Sequence, residues 1–204
     1  MPNDNAPFGL RPIGGAGAPP NFQLVTRNVA HNASAIFTGD PVQQLDTGFV
    51  SRWTATTATS QMVGIFMGCQ YLSQSQSKLV RNNYWPGSDV ASGQFVTAFI
   101  LPLNLASPMR FIIQTDATGA TFANIGLNFD LSMGTGSTIT GRSGAFLDIS
   151  TGAATATLPF RLINLYGAGG TYGVESNVGP GSDAGAYNWA IVAANTSGAG
   201  STGI

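Results

Sequence analysis

Apolar residues in this chain come in short runs, cut apart by clusters of Gly, Pro, Asn, Asp and Ser. The clearest runs are "FQLVTRNVA" (22–30), "QMVGIFMGCQYL" (61–72), "GQFVTAFILPL" (93–103) and "MRFIIQT" (109–115). "GAFLDIS" (144–150), "LPFRLINLY" (158–166) and "YNWAIVAAN" (187–195) follow. All are rich in Val, Ile, Phe, Tyr or Thr, the residues that suit a pleated, half-buried surface. Between them recur turn sequences: "TGD" (38–40), "DTG" (46–48), "WPGSD" (85–89) and "TDATGA" (115–120). No segment keeps apolar residues at i, i+3, i+4 and i+7 beyond about two turns, and the strong helix formers Lys and Glu are almost absent. "FANIGLNFDLSM" (122–133) has room for one short turn of helix. The pattern predicts an all-β chain: an antiparallel β-barrel or sandwich with little helix. In "GDPVQQLDTGFV", "SRWTATTATSQ" and "MVGIFMGCQYL" (39–72) it reads strand, turn, strand, connection, strand, a unit suited to a small barrel that closes its edges.

Before Phe22 the pattern fails. "NDNAPFGLRPIGGAGAPPNF" is too broken by proline and glycine for regular structure, yet too apolar for a solvated tail. Residues 1–22 are therefore predicted to form an extended N-terminal arm that exposes Phe8, Leu10 and Ile13. Residues 23–195 form the β-rich body, with a division into subdomains at about 23–116 and 117–195 left open. The second half contains Gly-rich stretches between Gly167 and Gly185. Residues 196–204, "TSGAGSTGI", read as a flexible low-complexity tail.

Charge changes the picture. Only 8% of the 204 residues are Asp, Glu, Lys or Arg, against about 25% in an ordinary soluble domain. There is one lysine, Lys78, one glutamate, Glu175, and a net charge of −1. A surface so poor in charge repels its own kind weakly, and interface cores are depleted of charge, so self-association is expected. Eight cations spread over the chain cannot build the basic stripe that nucleic acid needs. No apolar run is long enough for a membrane span, and the first residues lack a signal-peptide pattern. One cysteine, Cys69, excludes an internal disulfide and fits a reducing compartment.

Candidate chemistry is thin. "GAGSTG" (198–203) has the letters of a dinucleotide fingerprint but no following helix. His31 and Cys69 are the only His and Cys, too few for zinc and without a nucleophile elbow for a triad. Most of the aspartates stand beside Gly, Thr or Ser, where they make turns more readily than a glycosidase pair. No catalytic residue, metal or cofactor is expected. The most distinctive cluster is "VRNNYWPGS" (80–88), where Arg81 stands near Tyr84 and Trp85. These types dominate interface hot spots. The aromatics either fold back onto the body, anchor a partner, or offer a sugar platform.

Taken in order, "PFGLRPI", "AIFTGDPV", "VGIFMG", "NYWPG", "TDATGA", "IGLNFDL", "TGRSGAFLD" and "LPFRLINL" resemble a family of tailed-bacteriophage virion proteins, of capsid decoration (cement) type. The resemblance spans about Pro7 to Asn195. It implies a non-enzymatic structural protein on the outer capsid surface, made in the bacterial cytoplasm, with the major capsid protein and further copies of itself, as a trimer, for partners. In that setting the arm would clamp neighbouring subunits through Phe8, Leu10 and Arg11, with Arg81, Tyr84 and Trp85 as further contacts. Another virion part (head fibre, neck or tail) and a carbohydrate-binding module using Tyr84 and Trp85 stay open beside it.

Overall fold

The computed structural model describes residues 3–15, 23–54, 62–103, 109–167, 181 and 185–195. The 196–204 tail and most of the Gly167–Gly185 stretch lie outside these. The described chain is all-β, in fourteen strands: β1 (Arg11–Gly15), β2 (Val25–Ala30), β3 (Ile36–Phe37), β4 (Pro41–Gln44), β5 (Val50–Arg52), β6 (Met62–Ser73), β7 (Lys78–Asn82), β8 (Tyr84–Trp85), β9 (Phe95–Pro102), β10 (Met109–Gln114), β11 (Asn128–Gly134), β12 (Gly144–Ala153), β13 (Phe160–Leu165) and β14 (Trp189–Ala194). Among the described residues the one helical element is a 3-10 turn over Phe122–Asn124, where the sequence has room for it.

Two antiparallel sheets form a sandwich. One runs β2-β9-β6-β4-β5 and the other β1-β10-β14-β13-β11-β12, while β3 and β8 make a small ribbon. The first draws its strands from residues 25–102. The second draws on 109–194, with β1 added from the N-terminus. Long β6 carries β9 on one edge and both β4 and β7, end to end, on the other.

The first sheet is apolar on both faces. One face packs Met62, Ile65, Leu101 and Leu103 against Phe111, Ile113, Phe129, Leu147 and Val192 of the second sheet. The other encloses a separate core of Val29, Val42, Val50, Phe66, Cys69, Tyr71, Trp85, Val96 and Ile100. Gly68, at φ +135°, makes this possible. The extra residue Met67 forms a bulge there, so Phe66 before it and Cys69 and Tyr71 after it face the same core. The sheet curls until its end strands β2 and β5 touch, yet no ladder joins them. The barrel expected for residues 39–72 is therefore not closed among the described residues. The β4–β5 hairpin is formed, and β6 pairs with β4, but β2 and β5 meet without the strand-to-strand ladder that would close the barrel.

The N-terminal segment departs from its expectation. Residues 3–15 are extended but lie in the body rather than reaching away from it. Leu10 is 1% exposed and Phe8 6%. Gly9 N–H donates to Ala145 O and Leu10 N–H to Gly39 O, and β1 then pairs with β10. Gly9 sits at φ +72°, and a Cβ there would stand 2.5 Å from that of Ser143, so only glycine fits the crossing. The cause is the second sheet's own seam. The outer edge of β12 needs partners, which Gly9 and Asp116 supply. Phe8 and Leu10 then find apolar cover in the same chain, Phe8 edge-on to Trp189 at 5.0 Å.

Candidate interaction surface

Near this crossing a buried ion pair ties the sheets together. Asp40, fully buried, accepts hydrogen bonds from Phe37 N–H (2.8 Å), Ser143 Oγ (2.5 Å) and Arg52 Nη2 (3.2 Å). Arg52 Nε lies 2.9 Å from its Oδ2, and Nη2 reaches on to Gly134 O across the sandwich at 2.7 Å. Burial raises the Asp40 carboxyl above its ordinary range despite the pull of Arg52. Every oxygen of the group is engaged in holding the fold.

The other groups with reactive potential are similarly committed. Cys69 is buried, and burial alone pushes its thiol up to about 12, which keeps it protonated and inert. Asp89 caps the β6–β7 turn, accepting from Ser73 Oγ (2.5 Å) and Ser75 N–H (2.8 Å), and these bonds lower its carboxyl below the usual range. Asp130 and Asp148 stand opposite each other across β11–β12. Asp148 binds Ser150 N–H at 3.0 Å and Asp130 binds Leu131 N–H at 2.8 Å, so both serve local backbone geometry. Burial first, and Asp148 second, raise Asp130. His31 occupies the turn after β2. Among the described residues no three His, Cys, Asp or Glu gather to hold a metal.

Of the six residues expected to contact a partner, the structure leaves two outside. Arg11 is exposed, its guanidinium 5.6 Å from the Phe8 ring centroid. Arg81 is exposed on β7, its guanidinium 4.8 Å over Phe99. Phe8 and Leu10 are core residues, as described above. Tyr84 is half-buried and stacks on Phe37 at 5.4 Å. Trp85 is fully buried in the inner core, edge-on to Tyr71 at 5.2 Å, with Nε1–H donating to Ala33 O. A flat, open sugar platform from Tyr84 and Trp85 is therefore not formed; adjacent residues of a strand point to opposite faces, and β8 turns the indole inward.

What the structure brings together instead is an apolar ladder on the outer face of the first sheet, beyond the part that the second sheet covers. Leu79 of β7 pairs with Leu72 of β6. Extending the Gln70–Thr97 register by two places sets Phe95 of β9 next to Leu72, and Phe95 pairs with Ala30 of β2. Leu79, Leu72 and Phe95 are 64%, 55% and 52% exposed. The row beside them is Arg81, Gln70, Thr97 and Asn28, and Arg81 is its only charge. None of the three ladder residues stood out in the sequence. The signal was their phase: with Cys69 and Tyr71 inward, Leu72 must face out. No protein-family model, curated protein or solved structure matches this chain.

Proposed function

We propose that this protein is a non-enzymatic structural component of a tailed-phage particle that binds the outer surface of the capsid and stabilises it. The observation that carries the reading is the exposed ladder of Leu79, Leu72 and Phe95, bordered by Arg81. Large apolar side chains in a contiguous, rigid row on a sheet are costly to leave in water and suit a flat protein partner. The order of motifs that resembles phage decoration proteins, and the sparse charge, supply the rest of the case. Asp40, Asp89, Asp116, Asp130, Asp148 and the Cys69 thiol are occupied with structure, which fits a role without chemistry.

Stabilisation would follow from mass action: a ligand that binds only the assembled shell raises the free energy needed to disrupt it. The N-terminal segment has no clamping part in this reading, because Phe8 and Leu10 lie inside their own fold. The docking element is the ladder face. The test is quantitative mass spectrometry of purified particles, scored against the major capsid protein. Copies in proportion to the shell support capsid binding, and a few per particle would move the protein to the neck, tail or a head fibre. Absence from particles overturns the reading.

A further inference from the structure

We propose that β7 is where two copies of this chain join, edge to edge, in one continuous sheet about a two-fold axis. The argument starts from an account of the strand edges, since an unpaired edge is a row of donors and acceptors ready for another strand. The outer edge of β12 is bonded by Gly9 and Asp116. β2 and β5 pack against one another, which leaves no room for a strand to add between them, although no ladder joins them. β3 and β8 pair, and Thr38 bridges to Arg142 just beyond β3. The outer edge of β1 is blunted by Pro12, a bulge and the Gly14–Gly15 pair. β7 differs from these in its free edge: its one ladder partner is β6, and among the described residues no second strand packs along it as β2 and β5 pack on each other. Its sequence, Lys-Leu-Val-Arg-Asn, contains no Pro or Gly, and its ladder with β6 runs without a bulge.

The occupant that fits this edge is a second β7. An antiparallel pairing centred on Val80 sets Val80 beside Val80 of the second copy, Leu79 beside Arg81, and Lys78 beside Asn82. Each pair shares a face, because the offset from the centre is equal in both strands. No like charges stand opposite one another, so the chain's single lysine meets an amide rather than another lysine. On the outer face the row Phe95–Leu72–Leu79 gains the aliphatic stem of Arg81 from the second copy, and the reverse holds by symmetry. With a net charge of −1 per chain, long-range repulsion between copies is negligible. The pairing does not depend on capsid binding, and it calls for a two-fold assembly where the family resemblance implied three-fold.

Val80→Cys in the full chain is the direct test, because the one native cysteine is buried and unreactive. Mild oxidation should give a disulfide-linked dimer, and light scattering should show the wild-type protein as a dimer. Leu79→Lys sets a lysine against Arg81 of the second copy, twice by symmetry, and should weaken the dimer about tenfold or more. Adding Arg81→Asp turns that clash into an attraction and should restore it. Unchanged circular dichroism in both variants confines the effect to the edge. A wild-type monomer at high concentration overturns the proposal, as does a dimer that Leu79→Lys leaves intact or that Val80→Cys fails to link. A protein abundant in particles but monomeric would defeat this pairing and leave the capsid reading standing; a dimer absent from particles would do the reverse.

Discussion

The placement of the N-terminal segment yields the sharpest test of the fold, through Leu10→Ala. Leu10 is 1% exposed and belongs to the core shared by the two sheets, with Trp53, Phe111 and Leu147 in the same cluster. Truncating a buried leucine costs about 2–5 kcal/mol, the larger values where the site cannot collapse. Here it cannot collapse easily, because Leu10 N–H is bonded to Gly39 O at 2.9 Å and Gly9 N–H to Ala145 O at 3.2 Å. The expected loss is about 3–4 kcal/mol. At a urea slope near 2–3 kcal/mol per molar, the midpoint should fall by about 1–2 M. Urea titration followed by far-UV circular dichroism measures this. Ile139→Ala, at a position 95% exposed, is the control and should stay within about 0.5 kcal/mol of wild type. A clamp held out for a capsid would behave in the opposite way: Leu10→Ala would leave the midpoint unchanged and weaken only attachment to particles. That result would return Phe8 and Leu10 to the surface and refute the docked segment.

Two further variants probe the interior. Arg52→Met removes the partner of a buried carboxylate and should cost about 3–5 kcal/mol at pH 7. The sign with pH follows from Asp40, whose carboxyl is already raised by burial against the pull of Arg52. A raised group contributes stability that is whole below its unfolded value and lost as pH climbs through the folded one. Without Arg52 that loss deepens, so the variant's deficit in urea should be greater at pH 7 than at pH 4, and equal deficits would refute the pairing. Trp85→Ala should cost about 3–5 kcal/mol, as expected of a buried indole, and thermal melts with wild-type stability would show that the ring lies outside.

What the sequence made legible was whatever alternation encodes locally. The runs around Val25, Ile65, Ile100, Ile113, Leu147, Leu162 and Val192 all became strands within a few residues of their predicted limits. β7 escaped because Lys78, Leu79, Val80, Arg81 and Asn82 carry no strong apolar alternation, and no strand is predicted between Leu72 and Gly93. β1 escaped for a different reason. Its pairing with β10 joins residues about a hundred positions apart, and nothing in "RPIGG" announces a partner. A still longer separation lies between Phe8 and its ring partner Trp189, which is why an apolar N-terminal segment looked like an anchor for another protein. Trp85 could not be placed from sequence because its direction depends on which face of the two-residue β8 meets the core.

The scarcity of charge and the handling of edges are one problem with one solution. Sheet proteins commonly guard their edges with lysines and inward-pointing charges, but this chain has eight cations in all, and Arg52 among them is held by Asp40. Protection has to come from geometry instead. The first sheet curls until β2 meets β5, the N-terminal segment seals β12, and Pro12 with its glycines blunts β1. Each device hinders an edge without a lysine or an arginine, and the sealing of β12 and the meeting of β2 with β5 rely on long-range contacts rather than local ones. β7 is the strand these devices leave over; its Lys78 and Arg81 discourage indiscriminate pairing, while the symmetric register sets neither against a like charge. Among the described residues, a fold that hinders its other edges and leaves one regular edge beside an apolar ladder concentrates its capacity for strand pairing in one place. That arrangement suits ordered assembly, since a single self-complementary edge can form a closed pair but cannot propagate a fibre.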